Sequence, residues 1–462
     1  MISSYQEIFY KHWNILSSHK KLLNSFDLNN AFNENKERFK LFSTEHDGLF
    51  LDYSKHLITT ETIFKLTAFA QEIQLQKAIK KLFDSSDDSS FPKHINLRNP
   101  KDSTHTSTAQ QIKNLTDAIH NGSWLGYTGK KITDVVTIGV GGAFFGPKLI
   151  SSALAGYAQK HIKCHYLSDL DNSIRLKLLS TINAETTLFI VISKSFSTIE
   201  VLENIKVIRM WYLSKGVSIK QQQKHFIALS TKQETSAILN IQKENTYYLP
   251  KDVPGRYSVW SIAGLPLALY LGTDIFQQIL DGAHSADKHF YQTSFTKNIP
   301  VLMALLSFWY QNFWQSSSQA ILPFNYHLRH LVPYLQQIDM ESNGKSVQQN
   351  GLNTLCHTAP IIWGGLGYQV QHSYFQQLCQ GTQVIPVDFI MTTKSTSHST
   401  DYSDQLFAHG LTQSQILMQG VSIQTATQEL LKQGFDLSHA QSLARHKAFK
   451  GNKPSSTLLL NK

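Results

Sequence analysis

The stretch 338–347, IDMESNGKSV, has a carboxylate in an unusual place. Glu341 follows a helix-like apolar run that ends in LVPYLQQ, and turn-forming residues come directly after it. An acid that forms a surface ion pair belongs on a helix face, and a capping acid precedes an apolar periodic run. Glu341 fits neither description. A carboxylate on a turn at the edge of a core can reach a bound molecule, and partial burial would bring its pKa closer to the working pH.

Two other stretches have residues suited to binding an anion. In VTIGVGGAFFGPKLI, a strand-like run ends in glycines, and Gly142 with its neighbours lets amide N–H groups converge where a helix begins. A tight turn would need the same glycines. SKSFSTIE also stands between a strand and a helix, at the edge where α/β sheets bind ligands. Its hydroxyl and ammonium groups suit a phosphate, although a helix cap would use the same hydroxyls. These groups belong to Ser193, Lys194, Ser195, Ser197 and Thr198.

An arginine and a histidine complete the candidates. Arg256, in DVPGRYSVWSIAG, lies on a segment bent by proline and glycine, where its charge could stabilise a developing anion or form a structural ion pair. His372, in WGGLGYQVQHSYFQQ, is predicted to open an amphipathic helix, where it could transfer protons or only cap and pack. The 20 histidines show no metal-ligand spacing such as HExxH, so we expect no metal and no other cofactor.

Apolar strands and amphipathic helices alternate along much of the chain. In VLENIKVIRMWY, Val201, Ile205, Ile208 and Tyr212 recur with the helical period. Continuous apolar strands between such helices predict an α/β fold with parallel sheets that are covered on both faces. The predicted strands are 134–142, 185–193, 225–230, 319–324, 360–365 and 383–391. We predict a helical N-terminal extension (1–99) that packs on the second of two α/β domains, which span residues 100–270 and 271–462.

Composition narrows the class of protein. Hydrophobic residues make up 41% of the 462, which supports packed cores rather than disorder. The net charge of +10 admits a nucleic acid, an anionic membrane surface or an anionic small molecule as partner. Lysine and arginine form no long runs, the N-terminus has no signal-peptide pattern, and no apolar stretch is long enough to span a bilayer. We therefore expect a cytoplasmic protein that binds neither nucleic acid nor membrane.

Six segments, in order over most of the chain, resemble the glucose-6-phosphate isomerase family. The resemblance implies two sugar-isomerase-type α/β/α sandwich domains with parallel central sheets. It also implies a homodimer with a shared active site and a sugar phosphate as substrate. The segments are YTGKKITDVVTIGVGG, SDLDNS with ETTLFIVISKSFSTIE, VPGRYSVWSIAGLPLAL, YLQQIDMESNGKSV, QHSYFQQLCQGTQVIPVDFI and FKGNKPSSTLLL.

The resemblance also implies a role for each candidate residue. Glu341 would be the general base that moves a proton between C2 and C1 of the open-chain sugar through a cis-enediol. Arg256 would stabilise the enediolate, and His372 would open the sugar ring, with its imidazole oriented by Glu200. The phosphate would be bound by Gly142, Ser193, Lys194, Ser195 and Thr198, with Gln337 nearby.

The chain departs from the family pattern at several points. Ala143 stands where the family usually has a serine, and Tyr368 and Gln369 replace a threonine and an asparagine before the histidine. The INxTExR-type motif that the family has near its N-terminus is reduced to INLRNP at 95–100. After GNKPSSTLLL the family continues with a helical region that carries a phosphate-binding glutamine and a ring-opening lysine. We therefore expect a second domain shortened at its C-terminal end, with the strand Thr457–Leu460 left uncovered.

Three functions follow from these observations. The first is the isomerisation of glucose 6-phosphate and fructose 6-phosphate, in glycolysis and gluconeogenesis, with activity weakened by the departures. The second is a non-catalytic sugar-phosphate-binding protein derived from the isomerase. The departures favour it, and the intact Glu341, Arg256 and His372 oppose it. The third, a nucleic-acid-binding protein, rests only on the positive charge.

Overall fold

The computed structural model describes residues 4–84, 91–232, 234, 239–393 and 400–461. Contacts between residues divide the chain into two units. One, here called the central unit, is Lys80–Asp287, and the other, the terminal unit, combines Met1–Ile79 with Lys288–Lys462. The domain boundaries after residues 99 and 270 remain a prediction, because contact density alone does not show which segments fold independently.

Within the described residues, eleven strands form two sheets, one in each unit. Six of the strands lie where the sequence predicted them, between residues 134 and 392. The strands are β1 Ser43–His46, β2 Leu49–Lys55, β3 Asp134–Ile138, β4 Lys163–Leu167, β5 Thr187–Ile192, β6 Phe226–Ser230, β7 Thr246–Tyr248, β8 Ser318–Pro323, β9 Ile361–Gly364, β10 Val387–Thr392 and β11 Ser455–Leu460.

Helices of the described residues separate most of the strands. None of them is long and apolar enough to cross a membrane. The α-helices are α1 Ser4–Leu22, α2 Leu28–Glu34, α3 Arg38–Leu41, α4 Thr60–Glu72, α5 Leu75–Phe83, α6 Ser103–Asn121, α7 Phe145–Ala153, α8 Asn172–Thr181, α9 Ile199–Ser214, α10 Ile219–Gln222, α11 Leu265–Leu271, α12 Thr273–Gln292, α13 Ile299–Phe313, α14 Leu331–Leu335, α15 Gly367–Val370, α16 Phe375–Gln380, α17 Thr400–Gln419, α18 Ile423–Lys432 and α19 Leu437–Lys447.

The sheet of the central unit has the order β4-β3-β5-β6-β7, and every neighbouring pair is parallel. Successive side chains of β5 enter opposite cores, with Leu188 and Ile190 on one face and Phe189 and Val191 on the other. Since both of their faces are covered, the inner strands β3, β5 and β6 are buried along their whole length and mostly apolar rather than alternating. This confirms the fold class that the continuous apolar runs predicted.

Helices cover both faces of this sheet. Helices α6, α11 and α12 contribute to the core on one face, and α8 and α9 to the core on the other. In α9, the predicted stripe of Val201, Ile205, Ile208 and Tyr212 is buried, which confirms its orientation. The stripe fixes the first turn of α9 at the carboxyl end of β5, where the candidate anion loop lies.

The sheet of the terminal unit is mixed, with the order β1-β2-β11-β10-β8-β9. Strands β9, β8, β10 and β11 run parallel, whereas the hairpin β1-β2 joins β11 in the antiparallel direction. The prediction of an entirely helical N-terminal region was wrong here. The turn of the β1-β2 hairpin, Asp47-Gly48, has φ angles of 49° and 80°. An Asp-Gly pair with positive φ is typical of tight hairpins.

Strand β11 confirms the predicted strand near residue 457 but not its expected exposure. It pairs with β10 on one side and with β2 on the other, so it is an interior strand. Its residues from Ser455 to Leu458 are buried. The expectation of an uncovered edge strand was wrong because the unpredicted hairpin supplies the missing neighbour.

The N-terminal helices pack against α13 within the terminal unit. The ring of Trp13 in α1 lies 4.8 Å from that of Phe313, and Phe69 in α4 stacks on Phe308 at 5.2 Å between centroids. Aromatic contacts of this kind add to the burial of apolar area. The helices therefore form part of the core of this unit.

Candidate active site

A glycine loop follows β3 in the central unit and ends in the short turn Gly141–Ala143. A Cβ atom added at Gly142 would lie 1.8 Å from the carbonyl oxygen of Gly255, a distance that no side chain allows. Only glycine therefore lets the loop approach the 3₁₀ segment Gly255–Trp260, which carries Arg256. The glycines serve a close approach of two backbones as well as a tight turn.

The loop after β5 presents the hydroxyl groups that the sequence singled out. Ser193 is buried, and its Oγ accepts a hydrogen bond from the N–H of Phe196 at 3.2 Å. The Oγ atoms of Ser195 and Ser197 are 2.6 Å apart. Thr198 is the N-cap of α9, but its side chain makes no capping hydrogen bond within the described residues. The simple explanation of a helix cap therefore fails for Thr198, whose hydroxyl remains available to a ligand.

Lys194 is held by its backbone and partly buried. Its carbonyl oxygen accepts hydrogen bonds from the N–H of Thr231 at 3.1 Å and from the hydroxyl of Ser230 at 3.1 Å. Its Nζ donates to the carbonyl of Lys251 at 3.4 Å. Burial lowers the pKa of the Lys194 ammonium group, and the carboxylate of Asp252 partly offsets this effect. The loop thus has a positioned cation beside its hydroxyl groups.

A cavity of about 110 Å³ lies between these loops. It brings together Ser193, Lys194 and Thr198, as the sequence predicted, whereas Gly142, Ser195, Glu200 and Arg256 are not among the residues that line it. Glu200 is half-buried in the first turn of α9. The other lining residues are Val140, Ala143, Ile192, Leu249, Pro250, Val253, Gly255, Ser258 and Ser261.

Arg256 lies in the 3₁₀ segment, with its guanidinium carbon 5.5 Å from the ring centroid of Tyr257. Its Nε is buried and has no hydrogen-bond partner among the described residues. Nor does Arg256 form an ion pair within the part of the chain that the structure describes, so the alternative of a structural ion pair finds no support there. A buried donor without an acceptor is suited to a bound anion.

Three residues from distant parts of the sequence hold this segment. The ring of His94 stacks on Tyr257 at 4.1 Å and 12°. Arg98 donates two hydrogen bonds to the carboxylate of Asp287, at 2.8 and 2.6 Å, and lies 4.9 Å from the ring of Trp260. Burial, followed by the charge of Arg98, lowers the pKa of His94 to about 3, so its imidazole is neutral. Arg98 stands in INLRNP, but no local pattern connects it with His94, Asp287 or the Arg256 segment, so their contacts could not be predicted from the sequence.

The candidate base lies in the terminal unit. Glu341 ends a π-helical turn, Gln336–Glu341, that continues α14. The turn is fixed to β9 at Ile362, whose carbonyl accepts from Nε2 of Gln336 at 2.8 Å and whose N–H donates to Sδ of Met340 at 3.4 Å. Turns of this type are rare and are frequent at functional sites.

The environment of Glu341 differs from the expectation. Its side chain, on the last residue of the π-helical turn, is exposed rather than partly buried. Its carbonyl oxygen accepts a hydrogen bond from Nζ of Lys345. Gln337, in the same turn, has a buried Oε1 with no hydrogen-bond partner among the described residues. The turn thus presents one free carboxylate and one unsatisfied amide.

His372 lies in the turn between α15 and α16 rather than at the start of a helix. Helix α16 begins only at Phe375, so the predicted helix-opening position was wrong. The side chain of His372 is exposed, and its backbone N–H donates to the carbonyl of Gln369 at 3.2 Å. An exposed imidazole on a short turn can exchange protons with a ligand or with water.

The fold agrees with that of solved structures. A glucose-6-phosphate isomerase from Chlamydia trachomatis superposes with a TM-score of 0.82 at 26% identity, over 98% of this chain and 86% of that one. A hypothetical protein from Thermus thermophilus gives a TM-score of 0.62 at 20% identity, over 89% of this chain and 88% of that one, and shows the fold alone. The architecture is the α/β sandwich of a sugar-phosphate isomerase.

Sequence comparison identifies the family within the sugar-phosphate isomerases. The family model for phosphoglucose isomerase matches residues 52–462, so the chain belongs to the phosphoglucose isomerase family. A glucose-6-phosphate isomerase of Pseudomonas savastanoi pv. phaseolicola is 45% identical over 97% of this chain and 84% of that protein. A glucose-6-phosphate isomerase of Pseudomonas fluorescens is 44% identical over the same shares.

Proposed function

We propose that this protein interconverts glucose 6-phosphate and fructose 6-phosphate. The observation that carries the proposal is the 45% identity, over 97% of the chain, to a protein named glucose-6-phosphate isomerase. The free carboxylate of Glu341 and the unsatisfied guanidinium of Arg256 supply the two kinds of group that an aldose–ketose isomerisation requires. We further propose that the protein acts as a cytoplasmic homodimer in glycolysis and gluconeogenesis.

In this proposal, Glu341 removes the proton from C2 of the open-chain aldose. The electron pair of the C–H bond forms the C1–C2 double bond, and the carbonyl oxygen becomes the enediolate oxygen. The positive charge of Arg256 stabilises that oxygen. The C2 hydroxyl passes its proton to the C1 oxygen, which becomes the C1 hydroxyl. Glu341 returns its proton to C1, and the C2–O bond becomes the carbonyl of the ketose. The intermediate is a cis-enediol, and no metal or other cofactor takes part.

The phosphate of the substrate binds at the loop after β5. Ser193, Lys194 and Thr198 line the cavity there, and Lys194 contributes a positive charge. We propose that Ser195, the backbone at Gly142 and the amide of Gln337 add further hydrogen bonds. The first turn of α9 directs its N–H groups towards the same loop, which favours an anion.

His372 is proposed to open the sugar ring by exchanging a proton with the ring oxygen. Its exposure supports this role, because a ring-opening group must accept and release protons repeatedly. Glu200 is proposed to orient the imidazole of His372. Activity is expected to be weaker than in relatives with a serine in the glycine loop, since Ala143 lines the cavity without a hydroxyl group.

A coupled assay tests the proposal. The protein receives fructose 6-phosphate, and the appearance of glucose 6-phosphate is followed through a dehydrogenase. Glu341→Gln should lower kcat by at least about 10²–10⁴-fold, the usual contribution of a general base. Asp339→Asn is the matched control, because it removes a carboxylate from the same π-helical turn, and it should retain most of the activity.

A folded wild-type protein without turnover would contradict catalysis. Ala143 at the cavity wall would then favour the second function, a non-catalytic sugar-phosphate-binding protein. Calorimetric titration with 6-phosphogluconate then tests whether such an inactive protein still binds a sugar phosphate. Binding that Lys194→Ala weakens would support the binding protein, and the absence of binding would reject both functions.

A further inference from the structure

A second cleft, in the terminal unit, is lined by cations. Its volume is about 630 Å³, and its wall includes Arg445, His446, Lys450 and Lys453. No Asp or Glu of the described residues is among those that line it. None of the residues proposed for isomerisation lines it either. We call it the basic cleft.

The basic side chains of the cleft wall come from the end of α19 and the connection that follows it. Arg445 and His446 lie in the last turn of α19, and Lys450 lies in the connection from α19 to β11. Lys20, near the end of α1, places its Nζ 4.5 Å from the ring centroid of Trp314, which is part of the wall. The basic residues of the wall are thus close in the sequence, and Lys20 adds a distant cation beside the wall without lining it.

Carbonyl oxygens that would repel an anion are already occupied. Gln380 donates to the carbonyl of His446 at 2.8 Å, at the C-terminal end of α19. Lys453 donates to the carbonyl of Gly381 at 2.6 Å. Both donors belong to the wall of the cleft. The negative end of the helix dipole is thus partly compensated before any ligand binds.

Several donors in the wall have no acceptor. The side chains of Arg445 and Lys450 are exposed and form no ion pair with any described residue. The indole N–H of Trp314 is buried and likewise has no hydrogen-bond partner in the described part of the chain. Stabilisation of the end of α19 would account for Arg445, but it needs neither Lys450 nor the indole N–H. Free donors beside occupied acceptors are what an anion requires.

We propose that the basic cleft binds the phosphate chain of a small polyphosphate. A single phosphate engages one or two cations, whereas the row of Arg445, Lys450 and Lys453 along one wall matches several adjacent phosphates. The planar guanidinium of Arg445 suits bidentate contact with phosphate oxygens, and Lys450 supplies a point charge. Such a site is separate from the cavity that contains Lys194 and does not depend on the proposed isomerisation.

The test is calorimetric titration of the full chain with inorganic tripolyphosphate, at an ionic strength of about 0.1 M. The variant Arg445→Glu with Lys450→Glu should weaken binding by at least about tenfold, because it reverses two charges of the wall. Lys432→Glu with Lys447→Glu is the control. It changes the net charge equally, lies on α18 and α19, and alters no residue of the wall.

Each outcome decides the proposal. Binding that the wall variant loses and the control keeps supports it. A wild-type chain that does not bind tripolyphosphate, or equal weakening in both variants, overturns it. Arg445→Gln with Lys450→Gln repeats the test without a new negative charge, and thermal unfolding checks that each variant folds.

Two further titrations identify the ligand and its location. Equal binding of ATP and tripolyphosphate shows that the phosphate chain alone is recognised, and tighter binding of ATP shows that the base contributes. Adenosine that binds as tightly as ATP would overturn the proposal. Lys194→Ala should leave tripolyphosphate binding unchanged, and loss of binding in that variant would instead place the ligand in the central unit.

Discussion

Two polar side chains of the candidate site have buried atoms that no described residue satisfies. These are Nε of Arg256 and Oε1 of Gln337. A buried polar atom without a partner costs about 1–3 kcal/mol, which a fold tolerates when a ligand or water completes the bond. These unsatisfied atoms support the proposal that Arg256 and Gln337 contact a bound ligand.

Asp388 is a buried carboxylate that is not among the candidate site residues. It lies on β10, is 3% exposed, and accepts a hydrogen bond from Nε2 of Gln319 at 2.6 Å. Burial raises the pKa of its carboxyl group to about 6, and hydrogen bonds from Ser456 and Gln319 limit the rise. Ser456 also contacts Nε2 of His56 at 2.8 Å, and burial lowers the pKa of that imidazole to about 3.

We predict that Asp388→Asn stabilises the protein above neutral pH. Since the pKa of Asp388 is higher in the folded chain than its ordinary value of 3.8, the folded state binds the proton more tightly. The wild type therefore loses stability as the pH rises through the range from 3.8 to about 6. The variant should gain up to about 3 kcal/mol in the free energy of unfolding at high pH.

Thermal unfolding at about pH 5 and about pH 8 measures this difference. The advantage of the variant should be larger at the higher pH. His56 titrates in the opposite direction but is present in both proteins, so the comparison isolates Asp388. An advantage that is equal at both pH values would contradict the prediction.

At the scale of elements, the glycine loop lies in close backbone contact with the segment that carries Arg256. We predict that Gly142→Ala displaces the segment, because the new methyl group would lie 1.8 Å from the carbonyl oxygen of Gly255. The expected cost is about 1–3 kcal/mol of stability, together with a large loss of isomerase activity.

Gly156→Ala is the matched control for this prediction. A Cβ atom at Gly156 meets nothing within 4 Å, and the residue belongs to the same central unit. Thermal unfolding and the coupled assay should show a near-normal protein for Gly156→Ala. Equal effects of the two substitutions would mean that the close approach at Gly142 has no special role.

The elements also show what sequence reasoning can and cannot find. Strands β3, β5 and β6 were predicted because both of their faces are buried, so their sequences are continuously apolar. Strand β4, KCHYL, was missed because its residues are mostly half-exposed and its composition is mixed. The hairpin β1-β2 was missed although Asp47-Gly48 marked its turn.

For the candidate residues too, identity could be predicted from the sequence, whereas their environment could not. Glu341 and Ser193 stand in short motifs that carry the family resemblance, so the sequence sufficed to select them. The exposure of Glu341 did not follow from its motif, since burial depends on tertiary packing. The ion pair of Arg98 with Asp287 joins residues 189 positions apart, and a single sequence has no signal for such a pair.

At the scale of the whole molecule, β11 connects the two ends of the chain. It lies between β2 and β10, so the sheet of the terminal unit is continuous only when β11 is present. We predict that a chain ending at Pro454 loses the cooperative unfolding of this unit and becomes prone to aggregation. The reason is that removing β11 leaves two long unpaired strand edges.

Denaturant unfolding and size-exclusion chromatography measure this effect. The control chain ends at Leu460, so it keeps every residue of β11 and should remain folded. A cooperative, monodisperse protein that ends at Pro454 would contradict the role given to β11. The all-parallel sheet of the central unit contains no residue of β11 and does not depend on it for strand pairing.

The pairing of β2 with β11 has a consequence for synthesis on the ribosome. Asp52 pairs with Thr457. At roughly 5–20 residues per second, β2 waits on the order of 20–80 s for a partner that is translated about 400 residues later. The strands of the central unit are all translated within that interval. The nascent chain can thus complete one sheet while one edge of β2 is still unpaired and open to aggregation.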